Sequence, residues 1–313
     1  MAKIITLTMN PAVDIATDVE RLEPEHKLRC SAGHHDAGGG GINVARSVTR
    51  FNGDVTAVHT CGGATGALLN ALLQNENISC RAVPVEGETR IDFAVREMSS
   101  GRQFRFVLAG SELAAHEVQR CLEVLRGCVD PGAIVVASGS LPPKVSSDFY
   151  AAAAREVAAC GARFVLDTSG QPLKRALGSG LYLIKPSRRE LAELSNQPLP
   201  DRPACVAVCR KVVDAGGAEF VALSLGDDGA LFIGRDVALS ATAPRVTPIS
   251  TVGAGDSFLG ALVFELARNS SYDEALKTAV AAGSAALLAP GTGLCDVRDV
   301  DRLRPQVKIS ELV

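Results

Sequence analysis

The residues best able to do chemistry stand together late in the chain, in the stretch Ser250-Thr-Val-Gly-Ala-Gly-Asp-Ser-Phe-Leu-Gly-Ala-Leu262. Gly253, Ala254 and Gly255 leave successive backbone N–H groups unobstructed where an apolar helical pattern begins, which makes an anion cradle. Asp256 follows at once. Beside such an anion, a carboxylate can take the proton of an attacking hydroxyl while the amides stabilise the group in transfer. The same aspartate also suits a plain helix start, and read alone it leaves both roles open. A Walker A loop is excluded, because GxxxxGK[ST] is absent.

A second glycine run, "GGGGINVARSV" (38–48), lets backbone approach a ligand closely. Asn43 lies one turn into the helix that follows, on a face expected to be apolar. The dinucleotide fingerprint fits poorly, since these glycines do not directly follow the first core strand.

The elements that must hold these residues read as strands alternating with helices. Apolar runs at 3–9, 57–62, 133–139, 163–170, 182–187 and 219–226 suit buried strands, and amphipathic patterns such as 117–128 and 148–161 suit helices between them. This alternation predicts a mainly parallel sheet covered on both faces. Ligands of such sheets sit at the carboxyl ends of strands, where "SGS", "DTSG", "KPS" and "SLG" fall. Two segments, about 11–36 and 87–111, carry shorter strand-like pieces, the second a hairpin around "SSGR". Both are expected to form an antiparallel lid. No repeat or linker marks a second unit, so residues 1–313 are expected to form one domain.

Composition narrows the function classes. A formal charge of −3, no Trp and three Tyr argue against a nucleic-acid partner. Nine cysteines include no CxxC pair, and Cys205 and Cys209 lack the partners of a zinc set, which suits reduced thiols in a cytoplasm. "MAKIITLTMNPAVD" lacks the apolar run of a signal peptide, and no stretch approaches a membrane span. A cytoplasmic protein without a membrane partner is expected.

"GGGGINVARSV", "SGSLPP" (138–143), "KPSRREL" (185–191), "SLGDDGAL" (224–231) and "TVGAGDSFLGAL" (251–262) resemble, in order and spacing, the ribokinase-like sugar kinases over essentially the whole chain. "LRCSAGHHDAGGGGINVAR" and "GGATGALL" are similar to that family's 6-phosphofructokinase branch. The 1-phosphofructokinase and tagatose-6-phosphate kinase branches typically carry Gly-Gly-Lys-Gly where this chain has Gly38 to Gly41. The resemblance implies an α/β fold, a ribokinase-like three-layer sandwich with a mainly parallel central sheet and a small antiparallel β lid. It implies ATP-dependent phosphorylation of fructose 6-phosphate to fructose 1,6-bisphosphate, using ATP and Mg²⁺ with K⁺ as a candidate activator. A homodimer pairing lid against lid would cover the lid's edges. Alternatives are 1-phosphofructokinase, tagatose-6-phosphate kinase and, in a different class, a non-catalytic sugar-phosphate sensor.

By the same resemblance Asp256 is the general base, and Gly253, Ala254 and Gly255 form the anion hole. Asp14, Gly39, Gly40, Asn43 and Ser140 match the sugar site, and Lys27, Arg29 and Arg90 its phosphate end. Lys185, Ser187, Ser224, Gly226, Gly229 and Ser284 match positions around ATP. Glu190 matches the acid that organises Mg²⁺ through water. Ser250, Val252, Ala286 and Gly291 match a monovalent-cation loop. One departure stands out: the family usually has Asn-x-x-Glu after Lys-Pro, and this chain has Ser187-Arg-Arg-Glu190. The shorter serine implies a bridging water or slower turnover.

Overall fold

The structure, a computed structural model, describes residues 1–312. The chain opens with β1 (Ile4–Thr8) and then lays down β2 (Ala12–Val19) and β3 (His34–Gly38). α1 (Gly40–Arg50), β4 (Val55–Cys61), α2 (Gly63–Asn75) and β5 (Ser79–Pro84) follow. A hairpin of β6 (Arg90–Glu97) and β7 (Gln103–Phe106) precedes α3 (Ala115–Arg126). Strand and helix then alternate through β8 (Ile134–Ser138), α4 (Phe149–Ala159), β9 (Arg163–Asp167), α5 (Gly170–Ala176) and β10 (Leu181–Ile184). α6 (Arg188–Ser195), α7 (Arg202–Asp214), β11 (Phe220–Ser224), β12 (Ala230–Ile233) and β13 (Ala238–Ala241) come next. The chain closes with α8 (Ala254–Ala267), α9 (Tyr272–Ala286), α10 (Val297–Leu303) and β14 (Ile309–Glu311).

Ten strands form the main sheet in the order β14-β13-β12-β11-β10-β9-β8-β1-β4-β5. The run from β11 to β5 is parallel, and the β11–β12, β12–β13 and β13–β14 pairs are antiparallel. Neighbouring apolar residues divide between the two faces, as strand geometry requires. Ile4, Ile134, Val165 and Leu183 join one core layer with α1, α8 and α9. Ile5, Val135, Phe164 and Ile184 join the other. β5 and β12 to β14 were not expected from the sequence; they extend the sheet's edges and line no part of the cleft described below.

Four strands form the lid, in the order β3-β2-β6-β7. Its outer pairings are antiparallel, as expected, while the central β2–β6 pairing is parallel. That register sets Asp36, Asp14 and Asp92 side by side across three strands. No helix among the described residues is long and apolar enough to cross a membrane.

Candidate active site

α8 begins where Gly253 adopts φ +76, a left-handed conformation that favours glycine, and a Cβ there would also press on Leu294 at 2.7 Å. Behind its first turn the helix is buried on all sides, from Ser257 to Phe264. Asp256 is therefore a half-buried carboxylate on a rigid first turn. α1 crosses α8 and supplies Asn43, whose amide donates to Asp256 Oδ2 at 3.0 Å. The two glycine-rich motifs thus meet at the carboxylate. Gly40 lies against β8, where a Cβ would crowd Ser138 and stand 3.0 Å from Gly139 N.

These parts open on a cavity of about 480 Å³ lined by Gly40, Ser140, Asp167, Glu190 and Asp256, at the carboxyl ends of the parallel strands. Burial pushes the Asp256 carboxyl up, against the Asn43 bond and the charges of Lys185, Arg105 and Arg46. That direction makes it a stronger proton acceptor than an ordinary aspartate. Lys185, at the end of β10, is 6% exposed and pairs with Asp167 at 3.3 Å. A Cβ on Gly255 would stand 3.5 Å from its Nζ, so the ammonium lies beside the amide cradle. Burial alone would lower the Lys185 ammonium, but Asp167, Glu190 and Asp256 outweigh it and hold it above its ordinary value. Asp167 is raised to about 6 by burial, with Lys185 opposing and Asp256 and Glu190 adding to the rise.

Ser187 is committed to a helix cap. Its Oγ accepts from Glu190 N at 3.3 Å, and its own N–H and hydroxyl donate to Glu190 Oε2 at 2.8 and 2.9 Å. The serine thus orients the Glu190 carboxylate. Ser224 forms a bridge to Ser187, and Gly226 and Gly229, at φ +64 and +94, shape the turn that follows. Ser284 is buried in α9, one residue after the point where Gly283 abuts Ala254 O. Ser250 Oγ lies 2.6 Å from Gly291 O and accepts from Val252 N at 3.2 Å. Leu287 O accepts from Ser250 N, which brings the end of α9 with Ala286 to the same loop.

On the lid side, Asp14 is 8% exposed, and burial followed by the Asp92 charge pushes it up to about 6. Arg105 and Arg90 pull the other way. Arg90 Nη1 donates to Leu108 O at 2.6 Å, and its Nη2 is 3.4 Å from Asp92 Oδ2. Lys27 and Arg29 are not brought to the cleft of their own chain. They are exposed on the segment between β2 and β3, beyond the Val19–Cys30 bridge. At strand spacing that is about 17 Å along the lid from Asp14.

Five residues escaped the sequence reading. Asp167 sits in "DTSG", a strand end already marked as ligand territory. Arg105 pairs with Ala94 and so shares the face of Arg90 and Asp92, which hairpin alternation signals. Asn10 Nδ2 donates to Ala109 O at 3.0 Å and lies 3.2 Å from Ser140 Oγ, tying the lid to the strand end of β8. Arg46 is 3% exposed, binds Glu76 and Asp36, and faces Asn43 Oδ1 at 3.5 Å, fixing which end of that amide meets Asp256. Asp92 is the fifth.

The chain matches the profile of the pfkB family carbohydrate kinases over residues 7–299. It is 43% identical over 300 residues to the ATP-dependent 6-phosphofructokinase isozyme 2 of Mycobacterium tuberculosis, a match covering 96% of this chain and 88% of that protein. The crystal structure of phosphofructokinase-2 from Escherichia coli in complex with potassium superposes with a TM-score of 0.94 at 39% identity, covering 98% of this chain and 99% of the other. The structure of that E. coli protein in complex with fructose-6-phosphate gives 0.92 at 38% identity, with the same coverage.

Proposed function

This chain belongs to the pfkB family of carbohydrate kinases, with a ribokinase-like fold, and from that premise we propose that it phosphorylates fructose 6-phosphate on its 1-hydroxyl with ATP. The observation that carries the reading is the Asp256 carboxylate, held by Asn43 beside the Gly253–Gly255 amides and open to the cavity shared with Ser140. Asp256 takes the hydroxyl proton as that oxygen attacks in line. The α8 amides and Lys185 hold the charge of the group in transfer. Asp14, Gly39, Gly40 and Ser140 hold the sugar, and Arg90 with Arg105 its phosphate. We treat residues 1–313 as one kinase unit whose lid excludes water from the reaction.

The nucleotide and Mg²⁺ fit the residues present. The resemblance assigns Ser224, Gly226, Gly229 and Ser284 to the nucleotide. Glu190 and Asp167 line the same cavity as Asp256, which suits a Mg²⁺ carried on phosphate oxygens and steered by one or two carboxylates. When bound, that ion neutralises charge on the phosphates. Ser187 acts on it only through Glu190. The potassium-bound E. coli relative supports K⁺ as a ligand, and the resemblance assigns it to the Ser250, Val252, Ala286 and Gly291 loop.

A homodimer through the lid is part of the proposal. Phe93, Phe104 and Phe106 are 38%, 36% and 51% exposed on the lid, and a partner lid would cover them. The same pairing offers Lys27 and Arg29 a role toward a partner's cleft that they lack in their own chain. Scattered cysteines without a CxxC pair suit a cytoplasmic setting.

A coupled assay on a panel of fructose 6-phosphate, fructose 1-phosphate, tagatose 6-phosphate and free fructose tests the reading. The highest kcat/KM is expected for fructose 6-phosphate. A preference for another member would overturn the substrate assignment, and binding without turnover on any would favour the sensor.

A further inference from the structure

We propose that Asp92, which no motif of the sequence marks, is a positioning residue for sugar-phosphate recognition, bracing Arg90 and the strap at residues 107–110 on one side and crowding Asp14 with negative charge on the other. The inference rests on the sugar-phosphate reading above.

The bracing is geometric. Asp92 Oδ1 accepts from Leu108 N at 2.9 Å, while Arg90 Nη1 donates to Leu108 O at 2.6 Å. One ion pair therefore holds both backbone polar groups of Leu108. The Leu108 side chain is 51% exposed and anchors nothing, so the clamp fixes the strap. The next residue, Ala109, takes the Asn10 amide, which also faces Ser140. Strap, phosphate-side arginine and substrate-side serine are thus coupled through Asp92. Arg90 also keeps a buried Nε without a hydrogen-bond partner.

The crowding follows from register. Asp92 is the β6 neighbour of Asp14 in the parallel pairing, about 4.8 Å away across the ladder. The charged groups acting on Asp14 are Asp92 and Arg90 from β6, Arg105 from β7 and Asp36 from β3. After burial, Asp92 is the largest influence and raises Asp14 toward about 6. Asp14 must be ionised to accept hydrogen bonds from sugar hydroxyls without donating one. Asp92 therefore adds to burial in raising the lowest pH at which the sugar end is ready.

Asp92→Asn separates the two effects, because its amide oxygen can still accept from Leu108 N while the charge is gone. In D92N the acid limb of kcat/KM for fructose 6-phosphate should move to lower pH by about 0.5–1 pH unit, and the limb for MgATP should stay. The KM for the sugar phosphate should rise roughly 3–10-fold as Arg90 loosens, with kcat changing less. The sugar phosphate's own titration is the same in both proteins and cancels. Carboxyl-carbon NMR of Asp14, without substrate, should show the same downward move of its midpoint. Asp92→Ser, which also lacks the charge, provides the same NMR comparison if D92N does not fold. An unmoved Asp14 midpoint and acid limb in a folded variant overturn the proposal. If fructose 6-phosphate is no substrate, the functional reading fails instead, and the NMR titration still decides whether Asp92 acts on Asp14.

Discussion

The two halves of the candidate site are built on different terms. The half that carries Asp256 is a helix start sunk between α1 and α9, with every residue from Ser257 to Phe264 buried behind it. The half that carries Asp14 and Arg90 is a four-stranded lid with three phenylalanines open to solvent. Proton transfer tolerates little displacement, so its carboxylate belongs on the rigid element. On the reading proposed above, recognition of the sugar phosphate falls to the strands of this more exposed lid. The difference predicts that substitutions in the first half strike turnover and those in the second strike affinity and stability.

The sharpest way to break this division is Asp256→Asn. It keeps the size of the side chain and a polar neighbour for Asn43 while removing the proton acceptor. We expect kcat to fall by about 10²–10⁴-fold, with nucleotide affinity by calorimetry nearly unchanged. A kcat within a few-fold of wild type would mean that the rigid half does not hold the base.

Arg90→Ala tests the other half. A charge-assisted bond is worth roughly 1.5–3 kcal/mol, so the KM for the sugar phosphate should rise by about 10–150-fold. The KM for ATP should change by less than about 3-fold. Equal effects on both substrates, measured by steady-state kinetics with each varied in turn, would show that the two halves are not separate in function.

The same contrast explains what could be read in advance. The helix start that carries Asp256 was legible because its parts are consecutive in sequence: glycines, an acid and an apolar helix from Gly253 onward. The layers were legible because doublets such as Ile4-Ile5 must divide between the faces of a strand. The lid was legible only as strands. Turn chemistry near "SSGR" speaks for one hairpin, but nothing local says that β2 and β6 run side by side in parallel. The neighbourhood of Asp14, Asp92 and Arg105 follows from that long-range pairing, so those partners stayed hidden. Ser187 is a different case. Ser-x-x-Glu is a capping-box signal, and Ser187-Arg-Arg-Glu190 could have been read as a helix start from the residues alone.

The smallest expected effect concerns stability and falls on Asp14. Its folded carboxyl titrates near 6 against an ordinary value of 3.8, so folding favours the protonated form. The associated stabilisation is complete below the ordinary value and is lost as pH rises through 6. At pH 8 the ionised group therefore costs up to about 3 kcal/mol, since each tenfold change in proton affinity on folding corresponds to about 1.4 kcal/mol. Asp14→Asn removes that cost and should stabilise the protein by about 1–3 kcal/mol at pH 8, raising Tm by roughly 2–6 °C. The gain should shrink as pH falls below 6 and vanish near pH 3, where the wild-type group is neutral in both states. Scanning calorimetry of both proteins across this range measures it. Fructose 6-phosphate should raise the Tm of the wild type more than that of the variant, because on the proposed reading the carboxylate that costs stability is one of the groups that bind the sugar. A gain independent of pH would mean that Asp14 is not held charged at a cost, and that the lid stores no strain for its ligand to relieve.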